Sequence, residues 1–354
     1  MRLGLLLLAA FCGLAARASA APPLEAYGRQ PAADHVALSP SGELIGLTLR
    51  DGDATTVQVI RPGGESIYST RISARKVRQV EWAGDDHLIV LVSETVSSPG
   101  LVRDAEMAGG YFVNVRTGKA GIIFGGSRRM LRAVLGYFGA ASVGGRRFAY
   151  VGGIASDRIG AGANYPDLYR IDLESGQESL VTMSGSGSPR WVVNSEGGIT
   201  VMSLYDATGQ NLTVYSGLRQ QVLFRAATRG PRSSLLGSGR TPGSALVSVA
   251  TDATVHITEF TPGGAPNGEV LISDETGASP LWHPESGLLI GFRTEGRPRY
   301  FASDRQQKTD AALKAFAGLR AELVSVNRTF DRMIVRTEGA KDSGTYWLVD
   351  LAKR

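Results

Sequence analysis

From residue 31 onward the chain consists of short apolar runs, mostly alternating with polar positions and divided by Gly, Pro, Asp and Ser. A period of two bounded by turn residues predicts β-strands. One class of segment recurs: GELIGLTLR at 42–50, DHLIVLVSE at 86–94, RRFAYVGGI at 146–154, GGITVMSLY at 197–205, SALVSVATD at 244–252, SGLLIGFRT at 286–294 and DRMIVRTEG at 331–339. The third residue of each is apolar: Leu44, Leu88, Phe148, Ile199, Leu246, Leu288 and Met333. Successive segments start 44, 60, 51, 47, 42 and 45 residues apart, with a loop insertion in the second unit. Repeats of about 40–50 residues made of strands predict a β-propeller with four antiparallel strands per blade. Seven units predict seven blades, with these segments on inner strands and each third residue buried between blades.

Two further signals keep the same phase. Ahead of the recurring segment stands a turn, often marked by Trp: L-S-P-S-G at 38–42, E-W-A-G-D-D at 81–86, R-W-V-V-N-S-E-G at 190–197 and L-W-H-P-E-S-G at 281–287. Pro fixes φ while Asp, Ser and Gly cap such turns, so a strand enters sharply. Later come strand, turn and strand, Y-F-V-N-V-R-T-G-K at 111–119 and L-Y-R-I-D-L-E-S-G-Q at 168–177. These predict the outer hairpin of a blade, with Gly118 and Gly176 at positive φ. V-Q-V-I-R-P-G-G at 57–64 and I-T-E-F-T-P-G-G at 257–264 repeat the device with Pro.

One decorating helix is predicted over Thr309–Leu323, between the sixth and seventh units. Thr309 or Asp310 would cap it, and Leu313, Phe316 and Leu319 recur at three-residue spacing. The last blade is expected to be incomplete. In the second and third units a further strand follows, A-G-I-I-F at 120–124 or E-S-L-V-T at 178–182, whereas T-Y-W-L-V-D at 345–350 is followed only by Leu351 to Arg354. Pro22 to Gln30 suits that strand poorly, being short and opening on two prolines. An unpaired edge is therefore expected there, open to pairing with another chain.

Composition agrees with a turn-rich β chain. With 43% hydrophobic and 20% charged residues, and 45 Gly and 15 Pro without a G-X-Y period, it excludes disorder, collagen and a coiled coil. No linker or compositional break appears, so 21–354 is expected to form a single domain. Residues 1–20 read as a secretory signal: Arg2 is the positive start, an apolar run follows, and Ala18-Ser19-Ala20 offers small residues for cleavage after Ala20. That run is too short to span a bilayer. The expected localisation is periplasmic or secreted, with no membrane span after cleavage.

The only cysteine, Cys12, lies inside the signal, so no disulfide, zinc-thiolate or cysteine-nucleophile reading survives in the mature chain. The net charge of +5 falls to +3 once Arg2 and Arg17 are removed. The basic residues are scattered and do not alternate with stacking aromatics, which argues against a nucleic-acid partner.

The motifs of known chemistry are missing. No G-x-S-x-G string, the exposed nucleophile turn of α/β-hydrolases, occurs. S-G-S-G-S at 184–188 is close in letters but reads as an inter-blade loop before Pro189-Arg190-Trp191. His35, His87, His256 and His283 fall in four different units, without metal-ligand spacing, and read as surface or turn residues. G-G-S-R-R-M at 125–130 lacks the G-K-[ST] ending of a phosphate loop. Asp51-Gly52-Asp53 and Asp85-Asp86 read as solvated turns, since a calcium loop needs further oxygen ligands in register. Trp82, Trp191, Trp282 and Trp347 recur with the blades and are expected in the core. No residue is assigned a catalytic, cofactor-binding or metal role.

L-E-A-Y-G-R-Q-P-A-A-D-H-V-A-L-S-P-S-G at 24–42 and V-R-Q-V-E-W-A-G-D-D-H-L-I-V at 77–90 resemble the opening blades of exported bacterial peptidases of the prolyl oligopeptidase family. The stretch from Asp310 to D-S-G-T-Y-W-L-V-D at 342–350 is similar to the end of that family's propeller. The resemblance covers most of 24–350 and is weaker in the middle blades. It implies a seven-bladed propeller that, in such peptidases, gates a catalytic funnel, and a C-terminal α/β-hydrolase domain carrying Ser, Asp and His. That domain has no counterpart up to Arg354, so no catalytic residue carries over.

The leading expectation is a non-catalytic exported propeller, a binding or accessory module for a peptide or protein ligand at a propeller face or at the C-terminal blade edge. One alternative is the propeller part of a serine peptidase, with a separate or downstream hydrolase domain. The other is a TolB-like periplasmic scaffold.

Overall fold

The computed structural model describes residues 33–353 apart from 53, 74, 97–104, 161–164, 186, 209, 228–232, 252–253, 274–276 and 340–341. The signal expected over 1–20 and the segment Pro22 to Gln30 lie outside the described residues. Seven antiparallel sheets follow one another along the chain, each a simple meander. Blade 1 holds β1 (Ala33–Leu38), β2 (Ile45–Asp51), β3 (Ala54–Ile60) and β4 (Ser66–Ser73). Blade 2 holds β5 (Lys76–Ala83), β6 (His87–Val96), β7 (Ala105–Asn114) and β8 (Ala120–Ile122). Blade 3 holds β9 (Tyr137–Val143), β10 (Arg146–Gly153), β11 (Asp167–Asp172) and β12 (Glu178–Thr182), with the short helix α1 (Ser156–Gly160) between β10 and β11. Blade 4 holds β13 (Ser188–Val193), β14 (Ile199–Asp206), β15 (Asn211–Ser216) and β16 (Gln221–Ala227). Blade 5 holds β17 (Ser234–Ser238), β18 (Ala245–Ala250), β19 (Val255–Phe260) and β20 (Glu269–Ile272). Blade 6 has three strands, β21 (Ser279–Trp282), β22 (Leu289–Thr294) and β23 (Arg297–Tyr300), followed by helix α2 (Ser303–Lys314). Blade 7 also has three, β24 (Arg320–Val326), β25 (Arg332–Gly339) and β26 (Asp342–Asp350).

The seven recurring segments form β2, β6, β10, β14, β18, β22 and β25, the second strand of every blade. They are not the innermost strands. First strands touch one another from blade to blade, as β1 does β5 and β24, and β13 does β9 and β17. They therefore converge on the axis. The second strands are instead buried on both faces, which makes their sequences nearly continuous apolar runs. In β6, Leu88, Val90 and Val92 pack toward blade 1, while Ile89 packs toward blade 3. In β25, Met333 and Val335 face blade 6 and Ile334 faces blade 1. Leu88, Phe148, Leu246 and Met333 are buried; Leu44, Ile199 and Leu288 are half-buried, Leu44 and Leu288 in the turn just ahead of the strand and Ile199 as the first strand residue after it.

Apolar clusters of this kind fill all seven blade interfaces, and among the described residues no strand is shared between the ends of the ring. Val36, Leu38 and Ile45 of blade 1 meet Ile334 of blade 7. Leu38 N donates to Ser325 Oγ at 3.0 Å and Arg328 N to Pro40 O at 2.9 Å. The Arg332 guanidinium adds an ion pair with Glu43 beside one with Asp350 at 3.2 Å.

The outer hairpins form as expected. Gly118 and Gly176 stand at φ 73° and 76°. Asn114 Oδ1 accepts from Arg116 N and Thr117 N, and Asp172 Oδ1 from Glu174 N and Ser175 N, so the same cap recurs one blade later.

Three expectations need correction. First, the helix is α2, Ser303–Lys314, not Thr309–Leu323. Thr309 lies buried inside it, and no side chain caps its start. Gly318, at φ 88°, reverses the chain, so Leu319 and Leu323 belong to the approach and body of β24. Second, among the described residues blade 6 as well as blade 7 has three strands rather than four. In blade 6 the helix stands in for the fourth: Gln306 Oε1 accepts from Tyr300 N at 2.9 Å and Gln306 Nε2 donates to Pro298 O at 3.4 Å, two bonds of the kind a neighbouring strand would make. Third, helix α1 adds a second helix to the one expected.

Candidate functional site

The convergence of the first strands leaves a central channel of about 700 Å³ along the propeller axis. Successive side chains on those strands alternate between the lumen and the blade interfaces. In β13, Arg190 is exposed to the channel while Trp191 beside it is buried, stacked edge-on against Phe138 at 5.0 Å.

The tryptophans tie first strands together. Trp82 Nε1 donates to Ala37 O at 3.0 Å, and Trp282 Nε1 to Ser238 O at 3.1 Å, each reaching the first strand of the preceding blade. Gly237 makes room for the second ring, since a Cβ there would lie 2.6 Å from it. Trp191 Nε1, also buried, has no acceptor among the described residues. Trp282, an exposed residue, departs from the expectation of a core role, and so does Trp347. Trp347 lies on β26, is 45% exposed, and donates to Thr337 Oγ1 at 2.9 Å.

On blades 2 and 3 the channel wall carries Gln79, Glu81 and Tyr137. Burial pushes the Glu81 carboxyl up, opposed in part by hydrogen bonds from Gln79 and Tyr137. Burial, with Glu81 as neighbour, pushes the Tyr137 hydroxyl well above its usual range. Two further guanidiniums line the channel. Arg147 lies against Gly84 of blade 2, and Arg190 sits on blade 4. Among the described residues neither has a carboxylate at ion-pair distance.

The turns that end the first strands form a charged rim. Arg328 lies between Glu285 of blade 6, at 3.3 Å, and Asp85 of blade 2, at 3.7 Å. Asp85 also accepts from Ser41 N at 2.6 Å. His283 occupies the first turn position in blade 6. Its Nδ1 accepts from Glu285 N and Ser286 N, and its Nε2 donates to Arg328 O at 3.2 Å. Burial, then the charge of Arg305, lowers its pKa.

The sequence candidates are dispersed over this frame. His35 pairs loosely with Asp34 at 3.6 Å, and His256 Nε2 meets Thr254 Oγ1 at 2.9 Å. His87 is neither a surface nor a free turn residue. It is 1% exposed, with Asp86 Oδ1 at 2.9 Å from Nδ1 and Glu174 Oε1 of blade 3 at 3.0 Å from Nε2. Asn114 Nδ2 donates to the same Glu174 oxygen at 2.7 Å, so His87 helps lock blade 2 to blade 3. Asp85 and Asp86 are thus engaged by protein groups rather than simply solvated. In the 184–188 stretch, Ser184 is buried and bonded through N and Oγ to Asp167, which pairs with Arg158. The 125–130 stretch joins blades 2 and 3 and ends in buried Met130, bridged to Ala155. Sequence reading missed the lumen group of Gln79, Glu81, Tyr137 and Arg190. Its only signal was polar residues alternating with apolar ones on strands whose repeats align less well than the second strands.

A second feature is the outer edge of β26, to which no strand pairs among the described residues. Exposed Trp347 lies on it, 5.7 Å from the ring of Phe316.

No family model and no curated protein matches the sequence. Solved structures do. A prolyl endopeptidase aligns over 91% of this chain and 48% of its own at 8% identity, with a TM-score of 0.51. The β-propeller domain of the Trilobed protease from Pyrococcus furiosus, described as having an open velcro topology, aligns over 90% of this chain and 95% of its own at 10% identity and TM-score 0.47. TolB from Acinetobacter baumannii aligns over 67% of this chain and 55% of its own at 13% identity and TM-score 0.36. The chain spans about half the length of the prolyl endopeptidase it matches. At these identities the likeness is one of fold: the chain is a seven-bladed β-propeller resembling the propeller part of such a peptidase.

Proposed function

We propose that this chain is an exported, non-catalytic β-propeller that serves as a binding or accessory module, docking a peptide or protein segment as an added strand on the edge of blade 7. The observation that carries this reading is the outer edge of β26, to which no strand pairs among the described residues, with exposed Trp347 on it. Unpaired backbone N–H and C=O groups at an edge recruit an extended partner, and side chains beside the edge select it. Export rests on the leader at 1–20, and absence of catalysis on the missing G-x-S-x-G string.

A peptide built on Glu178–Thr182, the outer strand of blade 3, probes the edge. It should raise the melting temperature and suppress self-association in light scattering, and Trp347→Lys should abolish both effects. A clean monomer whose melting the peptide leaves unchanged would sink the edge reading.

A second reading has its own support. Coverage of 91% of this chain but 48% of a prolyl endopeptidase suits the propeller part of a two-domain peptidase. A G-x-S-x-G codon string in frame beyond Arg354 would favour it.

A further inference from the structure

Separately from the blade 7 edge, we propose that the central channel binds a small organic carboxylate with an apolar body, its two oxygens held by the guanidinium of Arg190.

The channel volume of about 700 Å³ falls inside the range of small-molecule sites, roughly 300–1,000 Å³. Its charges are unevenly matched. Arg328, at the rim, is flanked by Glu285 and Asp85. Arg190 has no ion-pair or hydrogen-bond partner for its side chain among the described residues, although it lines the channel. A guanidinium fork matches a carboxylate through two parallel hydrogen bonds. The Glu81 carboxylate on blade 2 does not compete for it: Glu81 is tied to Gln79 and Tyr137, and burial disfavours its charged form.

The apolar part of the ligand follows from Trp82 and Trp282. Both line the channel, and both have spent their indole N–H on backbone carbonyls, so what they offer a ligand is ring surface. Trp282 is 37% exposed. A phosphate dianion would ask for several converging donors, whereas of the two unpaired guanidiniums in the channel Arg147 is laid against Gly84 of blade 2 and only Arg190 is exposed to the lumen.

Titration with phenylacetate, followed by calorimetry and by tryptophan emission, tests the assignment, with inorganic phosphate as the second titrant. The expected result is saturable one-to-one binding of phenylacetate that perturbs the emission. Binding should weaken roughly tenfold or more in Arg190→Gln, the loss of one charged hydrogen-bonding partner. Arg190→Lys, which keeps the charge, should retain part of the affinity and the wild-type melting temperature. Trp347→Lys should leave the titration unchanged, which separates this site from the edge. Absence of saturable binding, equal affinity in Arg190→Gln, or phosphate binding as tightly as phenylacetate would each overturn the proposal.

Discussion

His283 illustrates how one position in a repeat takes a side chain with its own chemistry. The first residue of the turn after a first strand is Asn194 in blade 4 and Asn327 in blade 7, and each uses Oδ1 to accept turn N–H groups. In blade 6 the same work falls to His283 Nδ1, which can accept only while unprotonated. Burial and Arg305 lower its pKa accordingly. The sign follows from linkage. With the folded value below the unfolded one, the unfolded chain binds more protons near the ordinary histidine range of about 6.5, so stability is lost as pH falls through it. Urea titrations across that range should show a flatter pH dependence for His283→Asn, which keeps the acceptor and removes the titration. Parallel curves for variant and wild type would show that His283 is not the titrating group. His87 shows the opposite limit of legibility. Its letters beside Asp86 suggested a solvated turn, and only the approach of Glu174 from blade 3, 87 residues away, accounts for its burial.

At the level of elements, the second strands were the legible part. They are buried on both faces, so their apolar letters run together and align between units. First strands expose one side to an aqueous lumen and carry Gln, Glu, Arg and Gly there, which dilutes the pattern. The helix was legible as a helix but not in its bounds. Leu313, Phe316 and Leu319 do share a spacing, yet the helix ends at Lys314 and the chain reverses at Gly318 ahead of β24, and the Ser303-Asp304 start lacks the capping geometry that would have announced it. The substitution of α2 for a fourth strand could not be read locally at all, because it rests on the Gln306 side chain reaching the β23 backbone. Gln306→Ala should therefore cost about 1–2 kcal/mol, the loss of two such bonds. Hydrogen exchange should report faster protection loss at the amide of Tyr300 than at those of β22. Unaltered exchange at Tyr300 would mean that the helix does not seal this edge.

The described residues form a ring of seven sheets held by apolar contact between neighbours, and among them no strand is exchanged where blades 1 and 7 meet. The period of the repeat made that architecture readable before any coordinates, since each blade interface needs the same two-sided strand. Function was less readable, because a propeller's scaffold recurs while its lumen and edges differ blade by blade. The function proposed for this ring is to bind without carrying out covalent chemistry. Exposure of the purified chain to a serine-directed fluorophosphonate, alongside turnover of a proline-containing peptide, tests it most directly. The expected result is no labelled serine and no hydrolysis; stoichiometric labelling of a single serine together with turnover would overturn the proposal.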